Sequence, residues 1–539
     1  MAQKTYKPSD RENGYPKGVP KWKQRIYEMI PGLFMWTLLL LPIIFGLLKW
    51  EVAMLIYVSI LVAYWCYRLI IFMVGGTIAV RRMDKTLAVD WVDKIKHLDN
   101  EKVDKYNKLR YVYLCPVYSE SMETLDPSFE AWANSDVGAD KIDVVMAIED
   151  KKKDIQVENF NKLKEKYGKR FGSMKYYIHP NDIPGEVAGV KGGNINWAAR
   201  HTVEDIEKAG KDPKDYLLIT CDSDQRPHKK YLSAVTYKYL TINNPYETFY
   251  ASAIHTFGNN IWNVPLFIRV QTNMLTMATM HMWVISQYIR VPFSKERVYV
   301  RDTFSSYIVN LGTLKKYKFW DPEIPNDDTA FYWNTMIRSK GKFKSCAVFV
   351  PTYNDAVENS TVLKSYQSFY KQQYRWGWGI INFPISIAAL ANNKDEDFPL
   401  IKKLLMTGMM VEYLWILTMV FVLTFGLYMI GLVDEDYKYS AYSYNLPKLL
   451  TIIFTILPFI SNIFIFIIKR KIMETPKTWK WYRYLLDFFE TFLMIFNMLT
   501  FYFLPYLQAV TEMLFGFSTF KKNFYVTDKV KIKGKGENS

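Results

Sequence analysis

Two carboxylates follow a strongly apolar run in the middle of the chain. Asp222 and Asp224 are separated by one residue and come directly after the run 217–221. Carboxylates at this spacing after a strand can hold Mg²⁺ or Mn²⁺, because these ions take oxygen ligands and keep coordination sites for substrate oxygens. A plain strand-to-loop turn has a similar composition, since aspartate and serine are common in turns. The pattern predicts a divalent-metal site, and the neighbouring motifs strengthen that interpretation.

A second apolar run, 144–148, also ends in acids, at Glu149 and Asp150. Ligands of α/β sheets bind beyond the carboxyl ends of strands, so one of these carboxylates could accept hydrogen bonds from a nucleobase or a ribose. A solvated strand end is the alternative interpretation.

Between these acidic motifs lies a glycine pair beside a lysine. Lys191 is followed by Gly192 and Gly193 within the segment 189–196. Glycines let backbone amides approach an anionic ligand, and the lysine ammonium can pair with a phosphate. A bare turn would have the same residues. The sequence has no GxxxxGK[ST] motif, and no GxGxxG follows a strand, which argues against a P-loop nucleotidase.

Two further acids precede a helical run downstream. Asp327 and Asp328 lie just before the run 330–333, where acids commonly cap a helix. The functional alternative is that one of them is a general base, which an attacking hydroxyl group needs.

An aromatic, positively charged segment, 370–378, contains Gln372, Arg375 and Trp376. An indole face can stack on a pyranose ring, and a guanidinium can neutralise a leaving diphosphate. Arginine and tryptophan are also enriched wherever a helix lies at a membrane interface, so an interfacial helix is the alternative interpretation.

These residues must be positioned by an α/β domain. Short β-rich runs alternate with polar helical segments between about 106 and 393, for example at 111–114, 144–147 and 216–220. Such alternation predicts a mainly parallel sheet with helices packed on it. The acids then lie at the carboxyl ends of strands, where ligands bind in open sheets.

Apolar runs flank this domain on both sides. Runs 30–48 and 52–73 predict one transmembrane hairpin, and runs 413–433 and 449–468 predict a second. Basic residues surround the first hairpin and follow the second, which places the α/β domain in the cytosol by the positive-inside rule.

A fifth run, 491–510, is long enough to span a membrane but is basic on both flanks. Basic flanks on both sides require an even number of crossings. We therefore predict an interfacial or re-entrant helix pair, with a single crossing as the alternative. The predicted organisation is a cytosolic tail (1–29), a hairpin (30–75), a linker (76–105), the catalytic domain (106–400), a hairpin (401–470), interfacial helices (471–520) and a cytosolic basic tail (521–539).

Composition narrows the function classes. The net charge is +16, yet the basic residues cluster at membrane flanks instead of one aromatic-lined face, so no nucleic-acid partner is expected. The four cysteines are widely separated, which predicts a reduced cytosolic domain without structural zinc. A membrane transporter or receptor that senses nucleotides is the alternative of a different class.

The order of the motifs resembles that of family 2 glycosyltransferases, especially the processive membrane synthases of cellulose and hyaluronan. The matching positions are Glu149, Asp150, Lys191, Gly192, Gly193, Asp222, Asp224, Asp328, Gln372, Arg375 and Trp376. In the tail, the segment 524–529 is similar to the FxVTxK gating motif of cellulose synthases and contains Thr527.

The resemblance implies a GT-A domain inserted between membrane hairpins and an inverting transfer from a nucleotide diphosphate sugar, most simply a UDP-sugar. It implies Mg²⁺ or Mn²⁺ on Asp222 and Asp224, and Asp328 as the base, with Asp327 as the alternative because NDD replaces the usual TED. The implied nucleotide-sugar contacts are Glu149, Asp150, Lys191, Gly192, Asp222, Arg375 and Thr527.

The same resemblance implies acceptor contacts from Gln372, Trp376 and Ser305. The region of Ser305 lacks the usual Cys-Gly, which leaves the acceptor open. A growing glycan made processively at the plasma membrane is one expectation, with membrane lipids as partners and both termini cytosolic. A non-processive transfer of one sugar to a lipid-linked acceptor is the alternative.

Overall fold

The computed structural model describes residues 11–12, 14–181, 183–184, 186, 191–288, 305–324, 326–392, 398–439 and 441–517. It begins with a short hairpin, β1 (Arg11–Glu12) and β2 (Tyr15–Pro16), and continues into two long helices, α1 (Lys21–Leu47) and α2 (Glu51–Leu87). Only three residues join these helices, so they run antiparallel as neighbours.

Two short helices lie in and just after the predicted linker 76–105. They are α3 (Trp91–Lys96) and α4 (Asn100–Lys108). Each begins at an aspartate N-cap: Asp90 accepts a hydrogen bond from a backbone N–H of α3, and Asp99 does the same for α4. Because α3 and α4 pack on the α/β domain, the structure places folded elements where the sequence suggests a linker.

Strands and helices then alternate along the chain. Their order is β3 (Arg110–Val117), α5 (Met122–Ala133), β4 (Ile142–Glu149), α6 (Lys153–Tyr167), β5 (Ser173–His179), α7 (Lys191–Lys208), β6 (Tyr216–Thr220), β7 (Arg226–Pro227), α8 (Tyr231–Thr241), β8 (Thr248–Ser252), β9 (His255–Thr256), α9 (Leu266–Ser286), β10 (Tyr307–Asn310), α10 (Leu311–Lys316), α11 (Asp327–Arg338), β11 (Lys344–Val348), β12 (Thr352–Tyr353), α12 (Val362–Gly377) and α13 (Asn382–Asn392).

Seven of these strands form one mixed sheet in the order β11-β8-β10-β6-β3-β4-β5. The pairs are parallel except for β10, which is antiparallel to both β6 and β8. The predicted α/β domain with a mainly parallel sheet is thus present, with one reversed strand. The carboxyl ends of β4 and β6 and the amino end of β10 consequently meet at one edge. A small sheet, β7-β12-β9, is formed by segments that follow β6, β11 and β8.

The sheet is buried on both faces. Along β3, Tyr111 and Tyr113 join the core under α5, α6 and α8, whereas Val112 and Leu114 join the core on the opposite face. This alternation follows from the two-residue period of a strand. It explains why β3 is apolar throughout, as is usual for strands covered by helices on both sides.

The C-terminal part is helical. It contains α14 (Leu400–Gly431), α15 (Ala441–Ile472), α16 (Trp481–Glu490), α17 (Met494–Asn497) and α18 (Leu504–Phe515), with a π-helical segment at Met498–Phe503. In the described part of the chain, four helical runs are long and apolar enough to cross a membrane: Lys21–Leu47, Glu51–Leu87, Leu400–Gly426 and Trp481–Phe515.

The last of these runs is tied to the α/β domain by buried charges. Asp487 is fully buried and pairs with Lys469. Glu490 accepts two hydrogen bonds from Arg269 of α9, both of 2.7 Å. These charges lie at the start of the run, where Asp487 pairs with α15 and Glu490 pairs with α9. The interfacial placement of the run stays a prediction, with a single crossing as the alternative.

Candidate active site

The metal-binding candidates lie just beyond β6. Asp224 is almost fully buried, and its Oδ2 accepts a hydrogen bond of 2.9 Å from the backbone N–H of Asp355, after β12. Its Oδ1 lies 3.4 Å from the amide nitrogen of Asn354. Asp222 is the more open of the pair, with a side chain that is 35% exposed. One carboxylate is therefore fixed by the small sheet, and the other faces the site.

Lys191 forms ion pairs with one of the metal-binding candidates and with one of the candidate bases. It is the first residue of α7, and its Nζ lies 3.1 Å from Oδ1 of Asp222 and 3.8 Å from Oδ2 of Asp328. Burial lowers the pKa of the ammonium, but the carboxylates of Asp222, Asp328 and Asp327 raise it more strongly, so the net shift is upward. The lysine therefore stays charged inside an acidic cluster.

The two candidate bases open α11. Asp327 and Asp328 are both more than nine-tenths buried, and Asn326 before them makes no side-chain capping hydrogen bond. Among the described residues, Oδ2 of Asp327 and Oδ1 of Asp328 have no hydrogen-bond partner. Burial raises the pKa of both carboxyl groups, and the charge of Asp327 raises the pKa of Asp328 further. Buried carboxyl groups with raised pKa values are candidates for a role in proton transfer.

The donor set suits a hard divalent ion. Within the described ranges, no group of three or more His, Cys, Asp or Glu side chains is placed to hold an ion alone. Mg²⁺ is often held by one or two carboxylates while substrate phosphates complete its coordination. Asp222 and Asp224 fit that arrangement, because both supply carboxylate oxygens just beyond β6. Beside Asp224, the buried Oδ1 of Asn354 has no hydrogen-bond partner among the described residues.

The acids at the end of β4 contact residues at the end of β5 and just after it. Oε2 of Glu149 lies 3.2 Å from Nδ1 of His179, and Oε2 of Glu186 lies 2.9 Å from Nε2 of the same ring. Burial lowers the pKa of His179, but the two glutamates outweigh it and raise the pKa to about 9. Asp150 accepts a hydrogen bond of 2.7 Å from Asn181. Both predicted nucleotide contacts therefore also hold residues at the end of β5 and just after it.

The glycine pair has a packing role in the same place. Gly192 and Gly193 are buried at the start of α7. A Cβ atom on Gly193 would come within 2.9 Å of Oε2 of Glu186 and 3.4 Å of the His179 ring. The glycine therefore makes room for the His179–Glu186 pair, which is a different reason from the predicted approach of a phosphate.

Sequence patterns did not indicate His179, Glu186 or His255. His255 begins β9, and its Nδ1 lies 3.3 Å from the hydroxyl of Thr352. Burial lowers its pKa although Asp222 and Asp224 are near, so the ring is neutral at pH 7. The available signal was position along the chain. His179 ends β5, and His255 comes three residues after the end of β8, so both occur at the sheet edge that carries the acids.

The aromatic motif lies on α12. Gln372, Arg375 and Trp376 are all half-buried, and the charge of Arg375 lowers the pKa of Asp327. Arg375 is thus close enough to act on the acidic cluster. Next to Gln372, Gln373 is fully buried. In the described part of the chain, neither polar atom of its side-chain amide has a hydrogen-bond partner.

Of the two remaining predicted contacts, Ser305 lies within the described residues and Thr527 does not. Ser305 precedes β10, and because Ile308 of β10 pairs with Ile219 of β6, it lies at the edge that carries Asp222. Its hydroxyl is 3.5 Å from that of Ser306. Thr527 and the segment 524–529 lie outside the described residues.

No protein-family model and no curated protein matches the chain. Among solved structures, it is similar to the mannosyltransferase PcManGT from Pyrobaculum calidifontis in complex with GDP-Man and Mn²⁺, with 12% identity, a TM-score of 0.34, and coverage of 68% of this chain and 98% of that one. It is also similar to S. aureus TarS 1–349 in complex with UDP-GlcNAc, with 11% identity, a TM-score of 0.33, and coverage of 76% and 92%. A third similarity, to GalNAc-T7 with UDP, GalNAc and Mn²⁺, has 9% identity, a TM-score of 0.27 and 50% coverage of each chain. Superpositions this loose do not establish a fold family or an activity.

Proposed function

We propose that the chain is a metal-dependent, inverting glycosyltransferase of the GT-A type that uses a nucleotide diphosphate sugar, most simply a UDP-sugar. The observation that carries the proposal is the position of Lys191 between Asp222 and Asp328, at 3.1 and 3.8 Å. In the same cluster, Oδ2 of Asp327 and Oδ1 of Asp328 are buried and have no hydrogen-bond partner among the described residues. Such a cluster combines groups that bind anionic phosphates with a group that can accept a proton.

The acceptor side depends on Asp328. An ionised carboxylate with a raised pKa is a competent general base near neutral pH, so Asp328 takes the proton of the acceptor hydroxyl as that oxygen attacks the anomeric carbon. Burial is the main cause of the raised pKa of Asp328, and repulsion from the adjacent Asp327 raises it further. The attack comes from the face opposite the diphosphate, which inverts the configuration.

The donor side depends on the cations. Lys191 and Arg375 neutralise charge that develops on the leaving diphosphate. Mg²⁺ or Mn²⁺ on Asp222 and Asp224 would supply further stabilisation of that charge. Glu149 and Asp150 bind the nucleoside end, next to the segment that they hold.

The acceptor is a glycan that grows by repeated additions at the plasma membrane, with Gln372, Trp376 and Ser305 as its contacts. Support comes from α12, which carries Gln372 and Trp376 and packs on α18 of the last apolar run. Tyr370 of α12 donates a hydrogen bond of 3.2 Å to Gln508 of α18. Two of the three proposed contacts, Gln372 and Trp376, thus lie on a helix that joins the catalytic domain to the apolar helices.

The test uses the full chain in lipid nanodiscs with a panel of UDP- and GDP-sugars. We expect one sugar to release nucleoside diphosphate with Mn²⁺ or Mg²⁺, and we expect EDTA to abolish the release. The matched variants are Asp222→Asn and Asp126→Asn; the second removes an acid that pairs with Lys166 away from the site. Release from no nucleotide sugar, or equal loss of activity in the two variants, would overturn the proposal.

A further inference from the structure

One cation faces three carboxylates in the candidate site. The Nζ atom of Lys191 forms ion pairs with Asp222 and Asp328, and Asp327 adjoins Asp328 at the start of α11. The side chains are only 23% exposed for Lys191 and 12% for Asp328. Three acids in so confined a space repel one another, so the ammonium is needed to hold them together.

The ammonium occupies space that a metal ion would need. An ion on Asp222 would approach its oxygens to about 2.0–2.2 Å. In the structure, Oδ1 of Asp222 instead faces Nζ of Lys191 at 3.1 Å. A divalent cation and an ammonium on one carboxylate repel each other strongly where little water screens them.

The geometry lets the side chain move while its backbone stays fixed. The start of α7 is held by Asn194, whose amide donates a hydrogen bond of 2.8 Å to the carbonyl of Ala147 in β4. Gly193 next to it is enclosed by Glu186 and His179. A lysine has a flexible four-carbon stem and a compact charge, so Nζ can change partners by side-chain rotation alone.

We infer that Lys191 is an exchangeable counter-ion, which neutralises the acidic cluster in the empty site and transfers to the donor's diphosphate when a divalent metal takes its place on Asp222. The inference rests on the proposed function and assigns Lys191 as a positioning residue in addition to its contact with phosphate. Because the metal must displace the ammonium and the diphosphate provides its new partner, metal and nucleotide bind cooperatively through this side chain. Linkage makes the effect reciprocal.

The test measures Mn²⁺ binding itself, by the electron paramagnetic resonance signal of free Mn²⁺, on the full-length protein with and without UDP. We expect Lys191→Met to bind Mn²⁺ without nucleotide about tenfold more tightly than the wild type, since no ammonium has to leave. We expect UDP to increase Mn²⁺ affinity by a smaller factor in this variant than in the wild type. Lys191→Gln keeps a polar group without the charge and should behave in the same way. It replaces Lys191→Met in the test if the methionine variant does not fold.

Two controls separate exchange from a general effect of charge. Lys175→Met removes a lysine that pairs with Asp205 on the surface, and its Mn²⁺ affinity should equal that of the wild type. Lys191→Arg keeps the charge and should bind Mn²⁺ without nucleotide no more tightly than the wild type.

The outcomes distinguish this inference from the proposed function. If the uncharged variants bind nucleotide-free Mn²⁺ no more tightly than the wild type, while the wild type releases nucleoside diphosphate from a sugar donor, the counter-ion role is wrong and the function stands. If the wild type binds no Mn²⁺ with or without UDP, both are wrong.

Discussion

Burial and a like charge make Asp328 different from an ordinary aspartate. Its pKa lies well above 3.8 because the carboxyl group is buried and Asp327 is next to it. Asp328→Asn should lower kcat by about 10²–10⁴-fold, the usual contribution of a general base, while UDP affinity changes little. Steady-state kinetics and UDP titration measure both quantities. Unchanged turnover would remove Asp328 from the mechanism.

The same pair predicts a pH dependence. A general base works in its ionised form, so kcat should rise with pH through the raised pKa of Asp328. Asp327→Asn removes the neighbouring negative charge, so it should lower the pKa of Asp328 and move the acidic limb of the kcat profile to lower pH. A limb that stays in place in this variant would mean that another group sets it.

His179 should make stability depend on pH. Its pKa rises from 6.5 to about 9 in the folded protein because of Glu149 and Glu186, which corresponds to about 3 kcal/mol. A raised pKa contributes stability that is complete below pH 6.5 and is lost as the pH rises through about 9. The melting temperature of the detergent-solubilised protein should therefore fall over this range, and it should fall much less in His179→Phe. Equal slopes would contradict the ion pairs.

The candidate site residues differ in whether the local sequence indicates them. Asp222, Asp224 and Asp328 could be found because acids at fixed spacing next to apolar runs are visible in the sequence. The partner of Glu149 could not, because His179 meets it only after β4 and β5 pair, and Glu186 contacts the other nitrogen of the same ring. A single histidine gives no periodic pattern, and its role follows from which strands are neighbours.

Among the elements, the close contact of α1 with α18 depends on one glycine. A Cβ atom on Gly32 would come within 2.7 Å of Cβ of Leu514 and 2.8 Å of the Val510 carbonyl oxygen, which is backbone and cannot move aside cheaply. Gly32→Ala should therefore destabilise the protein by about 1–3 kcal/mol. Thermal unfolding followed by tryptophan fluorescence measures this change.

Gly408 in α14 is the matched control. A Cβ atom there meets nothing within 4 Å, so Gly408→Ala should be neutral or stabilise the helix by up to about 1 kcal/mol. Similar losses in the two variants would show that the contact between α1 and α18 is not responsible, because helix propensity alone favours alanine over glycine.

The elements also show which parts of the fold the sequence predicts. Runs at 111–114, 144–147 and 216–220 coincide with β3, β4 and β6, because buried strands are apolar over their whole length. The reversed strand β10 has only four residues, and its partners β6 and β8 lie far away in the sequence, so local pattern does not indicate it. Helix α9 packs on α2 although it belongs to the α/β domain, a contact that only the folded chain reveals.

At the scale of the whole molecule, buried ion pairs bear on the number of membrane crossings. Lys469 with Asp487, and Arg269 with Glu490, hold the start of the last apolar run against helices next to the α/β domain. We predict that a run held in this way returns the tail to the cytosol. We expect Ser539→Cys, in a background with Cys66 and Cys346 replaced by alanine, to react with an impermeant maleimide in inverted vesicles and not in intact cells.

Glu435→Cys gives the opposite control in the same background. Residue 435 lies in the loop between α14 and α15, which is predicted to be outside, so it should react in intact cells only. Labelling of Ser539→Cys from outside would establish a single crossing by the last run and would remove the tail from the nucleotide.

The position of α12 between the catalytic domain and the apolar helices leads to a prediction about the length of the product. α12 carries Trp376, places the charge of Arg375 near Asp327 and packs on α18, so we expect a sugar stacked on Trp376 to lie between the catalytic domain and the apolar helices. An acceptor held there can be extended again without leaving. With a radiolabelled donor, the wild type should give a ladder or a high polymer, and Trp376→Ala should give shorter products while each turnover still releases nucleoside diphosphate. Trp481→Ala removes an indole that is 77% exposed on α16 and should leave the product length unchanged. One added sugar per acceptor in the wild type would instead establish the non-processive transfer to a lipid-linked acceptor.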